Sequence, residues 1–155
     1  MGASLDIVSR GPGIRTLPKR THVQYAALCY RVRDGKVQIL LITSRGRRRW
    51  TLPKGWPMQG RSPAKAAARE AWEEAGVKGL VDELCVGGYS YQKRSSNRPH
   101  MALVYPLEVV ELDKKFPERR ERKQRWVSPK RAAEMVDHPE LAKLLLGFRP
   151  FSRKH

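Results

Sequence analysis

Cysteine is scarce in this chain: only Cys29 and Cys85 occur among 155 residues. Both lie inside apolar stretches, so two buried free thiols are expected rather than a disulfide framework or a thiolate metal site. That usage suits a reducing compartment, and a cytoplasmic location is the expectation. Long apolar runs are also missing. No stretch approaches the ~18–20 residues that cross a bilayer, the start of the chain lacks the apolar core of a secretory signal, and no membrane partner is expected. The chain opens Met1-Gly2, but Asp6 stands where the myristoylation pattern needs Ser or Thr. Acidic residues are in deficit. Fifteen Asp and Glu face 32 Lys and Arg, for a formal net charge of +17. Such an excess concentrates polyanions around the molecule and speeds their capture. It fits a polyanionic small-molecule substrate or a nucleic acid, and equally plain solubility; charge alone does not separate these.

What is present is enough for one domain: 40 % hydrophobic residues in a chain of this length build a single core. Residues 1–20 are polar, basic and carry Gly11, Pro12, Gly13 and Pro18, which reads as an arm. The domain is expected over 21–148, with 149–155 as a tail. Val23 to Val32 reads as a buried strand, turned at Arg33-Asp34-Gly35-Lys36 into a hairpin partner over 37–44. Residues 45–49 form a basic loop. Trp50-Thr51-Leu52 is a short strand stopped by Pro53, and 55–61 a loop with Gly55, Pro57 and Gly60. Ser62 and Pro63 open a helix of strong formers that Gly76 ends. Further strands are expected at 80–92, 100–111 and 124–127, with a charged loop at 113–123. Short helices follow from Ser128-Pro129 to about Met135 and from His138-Pro139 to about Leu146. Strands interleaved with helices, some as hairpins, imply a mixed sheet with helices on its faces.

The central helix carries the chemistry. Glu70, Glu73 and Glu74 fall within an arc of about 100°. Three carboxylates on one face repel, and hard divalent cations with oxygen ligands offset that best. Arg69 precedes Glu73 by four residues and can orient its carboxylate. Ala64, Ala67, Ala68, Ala71 and Ala75 line the other side and permit close packing on a sheet. Alone, the glutamates also fit a solvated helix face.

The surroundings favour a site. From Gly55 to Val77 the chain reads GWPMQGRSPAKAAAREAWEEAGV. This resembles the Nudix box, G-x5-E-x7-R-E-U-x-E-E-x-G-U, where U is aliphatic. Gly55, Arg69, Glu70, Glu73, Glu74, Gly76 and Val77 match it, and Ala71 is a small occupant of the first U. One position departs: Arg61 stands where the box has glutamate. The order AALCYRV, LLITSR, RWTLPKG, EAGVKG and RWVSPKRAAEMV also looks like the branch with diphosphoinositol polyphosphate and diadenosine polyphosphate phosphohydrolases, over roughly residues 22–146. The resemblance implies an α+β fold, an α/β/α sandwich around a mixed β-sheet. It implies a pyrophosphohydrolase that cuts phosphoanhydride bonds with Mg2+ or Mn2+. Glu70, Glu73 and Glu74 would hold the metal, with the Gly55 carbonyl as a further ligand, and Arg69 would complete the catalytic set.

The general base stays open among Glu70, Glu118 and Glu121; the last two read equally as surface carboxylates. Arg45, Arg47, Arg49, Lys54, Lys93 and Arg94 are the candidate substrate contacts, because guanidinium and ammonium groups clamp phosphates. Arg48, Arg98, Arg119, Arg120, Arg122 and Lys123 extend the basic set. Trp50, Trp56 and Tyr91 could stack on a base, although core packing suits Trp50 better. The competing reading is a Nudix-fold module that binds RNA or a nucleotide without turnover, or an enzyme acting on RNA caps or nucleoside-diphosphate derivatives. Monomer and homodimer both remain open.

Overall fold

The computed structural model describes residues 21–92 and 98–150. Its sheet is built from β1 (His22–Arg33), β2 (Lys36–Thr43), β3 (Trp50–Thr51), β4 (Lys54–Gly55), β5 (Val77–Val81), β6 (Gly87–Tyr91), β7 (His100–Leu112) and β8 (Gln124–Val127). The main path runs β3-β2-β1-β7-β5; β4 pairs with β1, β6 with β7 and β8 with β2. The β1–β7 pairing is parallel, from His22 opposite His100 to Tyr30 opposite Glu108, and the others are antiparallel. The sheet is therefore mixed, as expected.

Alternation along β1 explains the layers. Ala26, Leu28 and Tyr30 face one core, with Tyr89, Leu141, Leu145 and Phe148; Val23, Ala27 and Cys29 face the other, with Ala64, Ala67, Ala71 and Ala75. A central strand covered on both faces reads as a near-continuous apolar run. Helix α1 (Pro63–Ala75) covers the second face, while α2 (Pro129–Met135) and α3 (Pro139–Leu146) cover the first. This is an α+β, three-layer α/β/α sandwich. Cys29 and Cys85 are free and buried, and burial pushes the Cys29 thiol up.

Two expectations are corrected. Residues 80–92 are not one strand. The chain leaves β5 at Val81, turns at Asp82, whose carboxylate accepts the Leu84 amide at 2.9 Å, and re-enters as β6. Lys54–Gly55, read as the edge of a loop, is a two-residue strand opposite Tyr25 and Ala26 of β1. Pro53 does not end the contact with the sheet, since its carbonyl accepts from the Ala27 amide at 2.9 Å.

Candidate active site

Helix α1 is fixed at both ends by its sequence. Ser62 caps the start, its hydroxyl accepting from the Lys65 amide at 3.2 Å, and Gly76 closes the end at φ 72°. The alanine side is buried, so the helix lies close to the sheet and turns its glutamates toward β4 and the 113–123 loop. Glu74 is buried, with 6 % exposure, and Glu70 and Glu73 are half-buried.

At Gly55 a side chain is excluded by contact: a β-carbon there would stand 2.1 Å from the Glu70 Oε2. Glu70 and Glu74 share a hydrogen bond between their carboxyl groups. Burial pushes the Glu74 carboxyl up to about 8; the nearby Arg122 opposes this, and the bond to Glu70 reinforces it. Burial also raises Glu70. Arg122, itself nearly buried, donates to Glu118 at 2.8 Å, approaches Glu74 at 3.7 Å and donates to the Thr43 carbonyl at 3.1 Å. The Glu118 amide donates to the Glu73 carbonyl at 3.0 Å, which docks the charged loop onto the last turn of α1. The Arg69 guanidinium lies over Trp72 and donates to the Glu73 carboxylate at 2.8 Å.

The expected residues are thus distributed unevenly. Gly55, Glu70 and Glu74 come together. Glu73 instead turns to Arg69, and among the described residues no three His, Cys, Asp or Glu side chains converge as a ready metal cage. The donors are nonetheless all oxygen, and one guanidinium faces several carboxyl groups whose ionisation burial opposes. That chemistry fits a hard divalent cation. Arg45 bonds to Glu121 at 3.1 Å and reaches Glu118 at 4.0 Å. Arg49 pairs with Asp137 at 2.6 Å, and Arg47 is exposed on the same turn. Lys54 lies 5.0 Å over the Tyr91 ring. Lys93 and Arg94 lie outside the described residues. Arg61 is exposed beside the start of α1.

Two members of the cluster have surroundings that the sequence did not show, although Glu118 was among the three candidate bases. Glu118 is not a plain surface carboxylate, because its side chain is 18 % exposed and bonded to Arg122. Arg122, grouped with the cations that extend the candidate phosphate contacts, is the cluster's internal counter-charge. The four-residue spacing from Glu118 to Arg122 was the available signal. Glu121 does sit at the surface.

A model of the NUDIX domain matches residues 22–148 of this chain. The chain belongs to the Nudix hydrolase family. Among the curated relatives, Nudix hydrolase 12, mitochondrial, of Arabidopsis thaliana is 33 % identical over 119 residues, covering 73 % of this chain and 59 % of the relative. The chain spans about three fifths of the length of this relative and of Nudix hydrolase 13 from the same plant. Human diphosphoinositol polyphosphate phosphohydrolase 3-beta is 34 % identical over 133 residues, covering 81 % of this Nudix chain and 79 % of the human one. In fold, the chain is similar to the Caenorhabditis elegans Ap4A hydrolase, with TM-score 0.63, 23 % identity and coverage of 81 % of this chain and 94 % of that one. A Nudix hydrolase from Nitrosomonas europaea gives TM-score 0.64 at 21 % identity, covering 81 % and 86 %. Among the described residues, no helix is long and apolar enough to cross a membrane.

Proposed function

We propose that this Nudix protein is a divalent-metal-dependent pyrophosphohydrolase acting on a polyphosphorylated small molecule, of the diadenosine polyphosphate or diphosphoinositol polyphosphate class. The observation that carries the reading is the carboxylate cluster of buried Glu74 and half-buried Glu70, packed against Gly55 and joined by Glu118 through Arg122. Isolated buried carboxylates are costly, and three around one arginine have a physical reason to persist if a cation completes them. The names of relatives that act on diphosphoinositol polyphosphates and Ap4A support the same class.

Glu70 and Glu74 would hold Mg2+ or Mn2+, with the Gly55 carbonyl, and Glu73 would join by releasing Arg69. Bound there, the metal supplies charge neutralisation at the phosphates and a more acidic water. Arg69 keeps Glu73 at the edge of the cluster in the meantime. Glu118, lying against the same carboxylates, is the best-placed proton acceptor outside the helix. Arg45, Arg47, Arg49 and Lys54 would steer the phosphates, as would Lys93 and Arg94. A depression of about 410 Å³ lined in part by Lys115, Arg119 and Arg120 adds cationic surface beside the Glu118 loop. The two buried thiols suit a cytoplasmic setting.

The test is a screen of phosphoanhydride substrates with Mg2+ and Mn2+, repeated with Glu74→Gln. An amide is a poorer ligand for a hard cation, and losing one preorganised electrostatic contact costs about 10²–10³-fold in kcat. Nucleotide binding with no turnover by the native chain would instead establish the module that binds without hydrolysing.

A further inference from the structure

The other side of β4 carries an aromatic wall that the hydrolytic reading does not use. His22 and His100 are register partners at the starts of β1 and β7, with ring centroids 5.0 Å apart. Tyr91, opposite His100 at the end of β6, lies 5.3 Å from it and is bonded through its hydroxyl to Gln24. His138, from the start of α3, closes the far side against Tyr89 and Tyr91 at 5.7 and 5.8 Å. Trp56 completes the wall, edge-on to His22 at 5.6 Å and 6.3 Å from His100.

Burial divides this group. His100 is 2 % exposed and Tyr91 8 %, whereas Trp56 is 44 % exposed. The inner rings are core; Trp56 offers indole surface to solvent while its position is held by the histidines. Two cations lie against its neighbours in the wall: Lys54 over Tyr91, and Arg98, whose guanidinium is 3.1 Å from the His22 Nε2. Trp56 also directly follows Gly55, whose backbone touches Glu70. Along β4, Lys54 serves the aromatic side and Gly55 the carboxylate side, as alternation requires.

A flat π surface beside cations, one residue from a carboxylate cluster that suits phosphates and metal, matches a planar base joined to a phosphate chain. Bases stack on aromatic side chains irrespective of sequence. A phosphorylated cyclitol has no π face to offer, and cations alone would hold it. We propose that Trp56, braced by His22 and His100, is the stacking platform for a nucleobase, so that this site takes nucleoside polyphosphates in preference to inositol pyrophosphates. The assignment rests on the proposed hydrolytic reading for where the phosphates lie.

The full chain is assayed with Mg2+ on diadenosine tetraphosphate, an inositol pyrophosphate and inorganic tripolyphosphate, as native protein, Trp56→Ala and Trp56→Phe. Separately, AMP is titrated against tryptophan emission without metal. The native chain is expected to prefer the dinucleotide. Trp56→Ala lowers the kcat/KM ratio of dinucleotide to tripolyphosphate by about 10- to 100-fold, the size of one lost base–aromatic stack, and Trp56→Phe restores most of it. AMP quenches native emission, and the quench disappears in Trp56→Phe while AMP still binds by competition. If the native chain prefers the inositol pyrophosphate, or Trp56→Ala lowers kcat/KM for both substrates equally, the platform is wrong and the hydrolase reading stands. If no substrate is cleaved but AMP quenches Trp56, the hydrolase reading is wrong and the base site stands.

Discussion

Gly55 illustrates how one missing side chain sets the position of another. Its backbone lies so close to Glu70 that an added β-carbon would stand 2.1 Å from Oε2. What would have to move is the Glu70 side chain from its γ-carbon outward, all three nearest atoms being side-chain atoms, so the fold should absorb Gly55→Ala while Glu70 swings out of place. The expected outcome is a melting temperature within a few degrees of native and a kcat lowered by about 10-fold or more, since a contact displaced by an ångström forfeits its electrostatic advantage. Unchanged kcat would remove Glu70 from the reaction. His138 gives a pH effect away from the carboxylates. Burial among Tyr89 and Tyr91 lowers its affinity for protons; Lys54 and Arg49 add to that, and Asp137 opposes it. The unfolded chain protonates this imidazole near 6.5. Above that pH neither state takes the proton, and nothing is lost. As pH falls through about 6.5 the unfolded state binds it first, and stability drops until the folded ring also protonates. Denaturant titrations from pH 8 to 5 should show a shallower decline for His138→Gln than for the native chain; parallel curves would contradict the assignment.

At the scale of elements, the two ends of α1 do different work. Ser62 caps the helix and donates to the Glu83 carboxylate at 3.2 Å, away from the Glu70–Glu74 cluster, so Ser62→Ala should cost about 0.5–2 kcal/mol and leave kcat close to native. Gly76 both closes the helix at positive φ and seats the charged loop: a β-carbon there would stand 2.5 Å from the Phe116 ring and 2.7 Å from the Asp113 carbonyl. Gly76→Ala should therefore cost about 1–3 kcal/mol and also lower kcat, by loosening the loop that carries Glu118 and Arg122. Chemical denaturation and steady-state kinetics on both variants separate the two roles, and a native kcat in Gly76→Ala would show that the loop does not serve catalysis. The same comparison shows what local sequence can reveal. Caps, the Asp34-Gly35 hairpin and the alanine stripe act over a few residues, and the helix and hairpin were legible from them. β4 was not, because two residues carry no period and their strand character comes from β1. The break at Asp82–Val86 was hidden for a similar reason: the segment itself holds no glycine or proline, the Gly87-Gly88 pair after it lies within β6, and an Asp side chain makes the turn. Glu118 and Arg122 lie more than forty residues after α1, and only the fold brings them to Glu74.

For the whole molecule, the sequence carries a net charge of +17, and among the described residues several of the cations stand on exposed loops. Arg47, Arg48, Arg119 and Arg120 are exposed, on loops near the Glu118 segment that Arg45 also touches. Each exposed pair with a phosphate contributes only ~0.2–1 kcal/mol. Several acting together would still change specificity by one or two decades, at ~1.4 kcal/mol per decade. Substrates with more phosphates should therefore gain most, and diadenosine tetraphosphate should exceed ADP-ribose in kcat/KM by about 10- to 100-fold at low salt. Exposed charges are screened over ~10 Å at 0.1 M and ~3 Å at 1 M ionic strength. The gap between the two substrates should narrow as salt rises, mainly through KM, while kcat follows the carboxylate cluster and changes little. Rates for both substrates across that range decide the matter. If ADP-ribose is the better substrate and salt leaves the ranking untouched, the basic loops do not read phosphate number, and their charge serves solubility or a separate polyanion such as RNA.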